Sequence, residues 1–174
     1  MMELKILSAS LVALILAVAL SGHGVVSSDI STGNSSGVFT FTVYGYTVNG
    51  DLTDASVSHG GNVQMLMTID QTVPITNGTV QITGSGAWNG MTDLQTLNGD
   101  ISNVQGSVHA CVLSVCQNAD FTGNGTWSGT MTWSQATGSQ ASGTFQGALT
   151  FSGPQVNQTA PVPVSGNWTA SFAI

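Results

Sequence analysis

Few residues in this 174-residue chain could do chemistry. Cys111 and Cys116 flank Val-Leu-Ser-Val, His23, His59 and His109 are scattered, and the acidic groups are Glu3, Asp29, Asp51, Asp54, Asp70, Asp93, Asp100 and Asp120. A pair of carboxylates could hydrolyse a glycosidic bond. Glu3, however, lies in an apparent leader, and the aspartates stand near turns, with Asp51 and Asp54 read as a solvated loop. The one Gly-x-Ser-x-Gly match, Gly33-Asn34-Ser35-Ser36-Gly37, falls in a polar tail with no helical pattern after it, so it is not read as a strand-to-helix elbow presenting a serine nucleophile. The aspartates are too dispersed for a calcium loop, and Cys-x-x-x-x-Cys with no cluster of histidines is a weak metal signal. The reading is of a non-enzyme with no catalytic residue, cofactor or metal. The cysteines have a structural use instead. Five residues of strand span about 17 Å, whereas a disulfide needs Cα atoms within roughly 7 Å. A Cys111–Cys116 bond, the usual fate of two cysteines in a secreted chain, therefore requires the chain to turn between them.

The charge balance narrows the function further. One basic residue, Lys5, stands against eight acidic ones, for a net charge of −7, and charged residues make up only 5% of the chain. Nucleic-acid binding needs cations to displace counterions from phosphate, and anionic membrane surfaces need them too. Both partners are excluded. With 41% hydrophobic residues and a mean hydropathy of +0.25, the chain is not disordered either.

Ile6 to Leu20 is an apolar run followed by Ser21-Gly22-His23-Gly24. It is shorter than the roughly 20 residues of a membrane span and has the layout of a secretory signal. Residues 1–24 are read as that signal, cleaved between 21 and 28. The mature chain is then secreted to the cell surface with no stable membrane insertion and no Lys, Arg or Glu. Residues 25–36 form a polar tail, and residues 37–174 one domain.

Beyond Ser28 the pattern is that of strands. Apolar residues alternate with Ser and Thr at period two, between Gly and Asn-Gly punctuation. Val38 to Val48 is the first strong run. Val63, Met65, Met67 and Ile69 mark one face of the next. Asn77-Gly78 predicts a tight hairpin pairing Ile75 with Val80 and Val73 with Ile82. Further Asn-Gly pairs at 49–50, 89–90, 98–99 and 124–125 predict more turns. Trp127, Gly129, Met131 and Trp133 share a face; so do Phe145, Gly147, Leu149 and Phe151, and Trp168, Ala170, Phe172 and Ile174. These stripes are read as core. Eight to ten strands fit a sandwich or a barrel. The expectation is an all-β, antiparallel β-sandwich, Ig-like or pilin-like, wound as a Greek key or meander. Its outer face of Thr and Ser keeps its character at any pH, which points to a medium that is acidic or otherwise hostile to charged surfaces. Five sequons, at Asn34, Asn77, Asn124, Asn157 and Asn167, mark N-linked glycan acceptors.

The tail has no evident partner in its own domain. Val25, Val26, Ser28 and Ile30 form a short β-capable piece in which Val26 and Ile30 share a strand face. Such a piece suits strand donation to a neighbouring copy. The whole profile of leader, short tail, charge-poor Ser/Thr/Asn-rich β domain, C-terminal strand and many sequons resembles the extracellular thread filament subunits of thermoacidophilic archaea. The resemblance covers the whole chain but rests on composition and layout, with no diagnostic motif. It implies a head-to-tail homopolymer joined by donor-strand complementation, N-glycosylated and serving adhesion or biofilm cohesion. Carried onto this chain, Val25, Val26, Ser28 and Ile30 would be the donor. Phe39, Phe41, Trp168 and Phe172 would line the acceptor groove. Alternatives are a type IV pilin with a retained N-terminal helix, a secreted carbohydrate-binding module using Trp88, Trp127, Trp133 or Trp168 as a stacking platform, and an S-layer-associated β module that does not polymerise.

Overall fold

The computed structural model describes residues 36–43, 46–58, 61–113, 115–134, 138–154, 156 and 160–172. The Val25, Val26, Ser28 and Ile30 donor piece, the signal, Asn34, Asn157, His59 and Ile174 lie outside the described residues. Eight strands follow one another in chain order: β1 (Gly37–Val43), β2 (Tyr46–Val57), β3 (Asn62–Ile75), β4 (Gly78–Thr92), β5 (Thr96–Val112), β6 (Val115–Ser134), β7 (Gly138–Ser152) and β8 (Val162–Phe172). Each pairs antiparallel with the next, and β8 returns to β1 through pairs such as Phe39 with Trp168. The sheet is thus a closed up-and-down barrel, which corrects the expectation of a β-sandwich. Period-two alternation is common to both architectures. What separates them is the size and order of the inward side chains and the coiling of the sheet.

Large rings alternate with glycine on the inner face. Gly86-Ala87-Trp88-Asn89-Gly90, Gly125-Thr126-Trp127-Ser128-Gly129 and Gly143-Thr144-Phe145-Gln146-Gly147 repeat one pattern in β4, β6 and β7, and Gly166-Asn167-Trp168-Thr169-Ala170 nearly repeats it in β8. Each ring lies over space that a glycine leaves open. A Cβ added at Gly90 would stand 2.6 Å from Trp127, at Gly129 2.5 Å from Trp168, and at Gly166 2.8 Å from Phe145. Alternating large and small residues fill the narrow interior of a small barrel. Bulges supply the remaining curvature. Register shifts occur in β2 between Thr53 and Ser56, in β4 between Ser85 and Ala87, and in β5 between Ile101 and Val104. Asp54 and Asn103, with φ of 52° and 54°, sit in the first and last of these.

The interior is packed. Trp88, Trp127 and Trp168 meet pairwise at ring separations of 5.4–6.0 Å, and Phe39, Phe41 and Phe145 join them. A second pair, Phe121 and Phe151, stands 6.0 Å apart. Aromatic pairs of this kind add roughly 0.5–1.5 kcal/mol beyond the area they bury. The wall is the polar face of the same strands, with Asn49, Thr122, Thr126, Thr130, Asn167 and Thr169 exposed on it.

Two local expectations also change. The run Val38 to Val48 is not one strand; it folds back on itself, and Val43 pairs with Tyr46. Of the five Asn-Gly pairs, only 77–78 lies at a turn. In the other four the asparagine faces out, while the glycine faces in toward a ring or a neighbouring backbone. Even at 77–78 the turn is Thr76-Asn77, with Asn77 at φ 62°. Gly78 is drawn into the sheet, where a Cβ would meet the Cys111 carbonyl oxygen at 1.9 Å. Val73 therefore pairs with Val80, and Gln71 with Ile82. This register differs from the expected one by two positions, so every side chain keeps its face.

Candidate functional site

The barrel is uneven at the end that carries the β3–β4 and β5–β6 turns. Pairing between β2 and β3 starts at Asp51 with Thr68, and pairing between β6 and β7 starts at Asp120 with Ser152. Among the described residues, β3 beyond Thr68 pairs only with β4, and β6 before Asp120 pairs only with β5. A four-stranded ribbon therefore projects from the barrel, with the β3–β4 turn bonded to the β5–β6 turn by Leu113 N–H donating to Asn77 O at 3.0 Å.

The two faces of this ribbon differ. Inside, cross-strand rows run Val73, Val80, Ala110, Gln117 and then, at the rim, Ile75, Gly78, Val112, Val115. Val80 and Ala110 are buried, Ile75 and Val112 are half-buried, and Val115 is 62% exposed. Leu113, at the turn itself, is 71% exposed. Gln117 Oε1 is buried with no hydrogen-bond partner among the described residues.

Outside, two adjacent rungs pair Cys111 with Cys116 and His109 with Asn118. Cys111 and Cys116 form a disulfide across a Cα–Cα distance of 4.1 Å. The turn such a bond requires comes between Val112 and Val115, where Leu113 takes φ 48°. His109 Nδ1 is hydrogen-bonded to Asn118 Oδ1, and His109 Nε2 lies 3.2 Å from Cys111 Sγ. Among the described residues, this is the one place where three or more His, Cys, Asp or Glu ligand atoms gather. His109, scattered from the other histidines in the sequence, is brought into this cluster by the hairpin. The signal was available: once Cys111 and Cys116 form a rung, the next rung on the same face must be 109 with 118.

The other expected site residues lie elsewhere. Phe39, Phe41, Trp168 and Phe172 are 1%, 7%, 1% and 2% exposed. All four lie in the closed interior, where β1 pairs directly with β8. Asn77 is exposed at a turn, and Asn124 and Asn167 are exposed in mid-strand on the outer wall. Asn124 also lines a shallow groove of about 900 Å³ with Thr42, Asp100, Gln146, Pro163 and Ser165. Its lining mixes hydroxyls and amides with apolar groups from Ile101, Ala148 and Val164, and Asp100 is its one carboxylate. Trp88, Trp127 and Trp168 are core residues and offer no stacking platform. Trp133 lies outside the residues whose side chains are described.

At the opposite end, Asp93 shapes the β4–β5 turn. Its carboxylate accepts from Thr96 N–H at 2.6 Å and Gln95 N–H at 2.9 Å. The bond from the Thr96 N–H, followed by that from the Gln95 N–H, holds its pKa below the ordinary value of 3.8. Leu94 and Met91 are exposed beside it. Among the described residues no helix is long and apolar enough to cross a membrane. Compared with known proteins, the chain matches no family model, no curated protein and no solved structure.

Proposed function

We propose that this chain is a secreted, non-catalytic structural subunit of an extracellular filament, in which one copy joins the next by strand addition and the fibre serves adhesion or cohesion between cells. The observation that supports this reading is the rim of the projecting ribbon, half-buried to exposed among the described residues. There Ile75, Val112 and Val115 form an apolar row beside strand edges that, among the described residues, pair with one strand instead of two. An edge of this kind templates the addition of another strand, and only one charged side chain, Asp70, stands on the β3 stretch beyond Thr68, with none on β6 before Asp120. Pro74 lacks an N–H and bounds the useful length of the β3 edge.

The donor is the segment 25–36 of the next copy. Backbone hydrogen bonds to the ribbon edge supply attraction, and Val26 and Ile30, on one strand face, cover the apolar row. A contact between two different surfaces repeats without closing and yields a fibre. This acceptor differs from a missing-strand groove: the barrel is complete by itself, and the added strand extends its ribbon.

Negative-stain microscopy of the purified secreted chain tests the reading. The full chain should form filaments. Deletion of residues 25–36, or Val115→Lys with Ile75→Lys, should leave folded single particles with the near-ultraviolet dichroism of buried tryptophan intact. Isolated particles from the full chain, or unchanged filaments from the deletion, would sink the proposal.

A further inference from the structure

We propose that the outward face of the β5–β6 turn is a redox-gated site for a soft divalent cation: once the Cys111–Cys116 bond is reduced, both thiolates and the His109 imidazole close on one Zn²⁺ or Cd²⁺ ion. The Sγ atoms of Cys111 and Cys116 and a ring nitrogen of His109 already lie within 4.8 Å of one another. Bond lengths of about 2.3 Å to sulfur and 2.0–2.1 Å to nitrogen make such a spread closable by side-chain rotation. The rungs themselves need not move, because adjacent cross-strand pairs on one face hold the three ligands side by side.

The imidazole is oriented for this task. Asn118 Oδ1 can only accept a hydrogen bond, so Nδ1 of His109 carries the proton. Nε2 then keeps its lone pair, and Nε2 is the nitrogen 3.2 Å from Cys111 Sγ. Neither sulfur of the disulfide bears a proton, so this approach is a contact and not a hydrogen bond. A metal-binding histidine is commonly fixed in the same way, with its second nitrogen donating to a carbonyl oxygen. Two thiolates and one imidazole suit zinc or cadmium rather than calcium or magnesium, which prefer oxygen. A fourth position stays open to water or an anion.

The chemistry balances with a small-molecule thiol as reductant. Two RSH molecules transfer two electrons and two protons to the cystine, giving one RS–SR and two Cys–SH groups. The cation then displaces both thiol protons to solvent as it binds. The covalent pin across Cys111 and Cys116 is replaced by a coordinate one at the same rung, so the turn is held in both redox states. The oxidised chain has no site. Filament assembly through the inner face of the ribbon does not enter this inference, because the ligands point to the opposite side.

Cadmium titration of the purified full chain provides the test, read by the ultraviolet thiolate-to-metal charge-transfer band and by calorimetry. The oxidised chain should give no band. After treatment with a phosphine reductant, the chain should bind one Cd²⁺ per molecule. His109→Ala should keep the band and weaken affinity roughly tenfold or more. No band after reduction, one ion shared by two chains, or unchanged affinity in His109→Ala would each overturn the site. Should reduction itself disturb the fold, the double variant Cys111→His with Cys116→His needs no reductant. It should bind Zn²⁺ in a folded barrel and lose at least tenfold when His109→Ala is added, and equal affinity with and without His109 overturns the assignment.

Discussion

Gly50→Ala probes whether ring-over-glycine packing holds the barrel together. Gly50 and Phe39 are direct cross-strand partners on β2 and β1. A Cβ at Gly50 would stand 2.3 Å from Phe39 Cζ and 2.5 Å from both Phe39 Cε1 and the Thr68 carbonyl oxygen. Two effects oppose each other. Replacing glycine by alanine inside a strand gains about 0.5–1 kcal/mol through the reduced freedom of the unfolded chain. Overpacking a core costs about 1–3 kcal/mol. Here the upper part of that range applies, because Phe39 is 1% exposed and hemmed in by Phe41, Trp88 and Phe145. The expected net loss is about 1–2 kcal/mol, or a fall in Tm of roughly 4–8 °C. Phe39→Leu alone, which removes Cζ and leaves a small void, should cost about 1–2 kcal/mol. In the double variant the ring clash is gone and only the Thr68 contact remains. Its loss should fall short of the sum by about 1 kcal/mol. Urea unfolding followed by the fluorescence of the buried tryptophans measures all four corners of the cycle. Stabilisation by Gly50→Ala, or strict additivity in the double variant, would refute the packing argument.

Two further outcomes follow from the same interior and from the β4–β5 turn. Trp127 Nε1 is buried with no hydrogen-bond partner among the described residues, whereas Trp168 Nε1 donates to Ser128 O at 3.2 Å. An unmet buried donor costs about 1–3 kcal/mol, so Trp127→Phe should destabilise less than Trp168→Phe by about 1 kcal/mol or more in urea unfolding; equal losses would count against this. Asp93 has a depressed pKa in the fold, so its contribution is present above the ordinary value of 3.8 and is lost as pH falls through the lower folded value. Tm should therefore stay level, as far as Asp93 is concerned, from neutral to mildly acid pH and decline only in strong acid, and Asp93→Asn should make that decline shallower. A loss of Tm between about pH 7 and pH 5 that Asp93→Asn abolishes would contradict the assignment.

The strand faces were legible because burial follows period two whatever the topology. Val63, Met65, Met67 and Ile69 all point inward, as do Phe145, Leu149 and Phe151, and the three described tryptophans are core residues. Closure was not legible from alternation alone. It is carried by the spacing of glycine around each ring, as in Gly125-Thr126-Trp127-Ser128-Gly129, and the same glycines read as turn signals when paired with a preceding asparagine. Asn-Gly does favour a tight turn. At 49–50, 89–90, 98–99 and 124–125, however, the need for space beneath a ring or beside a backbone outweighs it, and the chain runs straight through. The His109–Asn118 rung escaped for another reason: two residues nine apart become neighbours only after the centre of the hairpin is known.

These placements bear on where function can sit. The barrel interior is packed by Trp88, Trp127, Trp168 and six phenylalanines, and its wall is a repeating field of hydroxyls and amides. A filled interior cannot take a ligand without displacing rings, each worth several kcal/mol to remove (Trp or Phe to Ala costs about 3–5 kcal/mol). Such a wall can hydrogen-bond many things weakly but offers little to fix one of them. Departures from this regularity concentrate at the projecting ribbon, where, among the described residues, pairing becomes one-sided, apolar residues reach the rim, a buried polar atom of Gln117 has no partner, and the outer face carries the clustered cysteines and histidine. The two faces of that ribbon can act independently, since a strand's side chains alternate between them. Substitutions at Ile75 or Val115 should therefore alter association without touching metal binding, and His109→Ala should do the reverse.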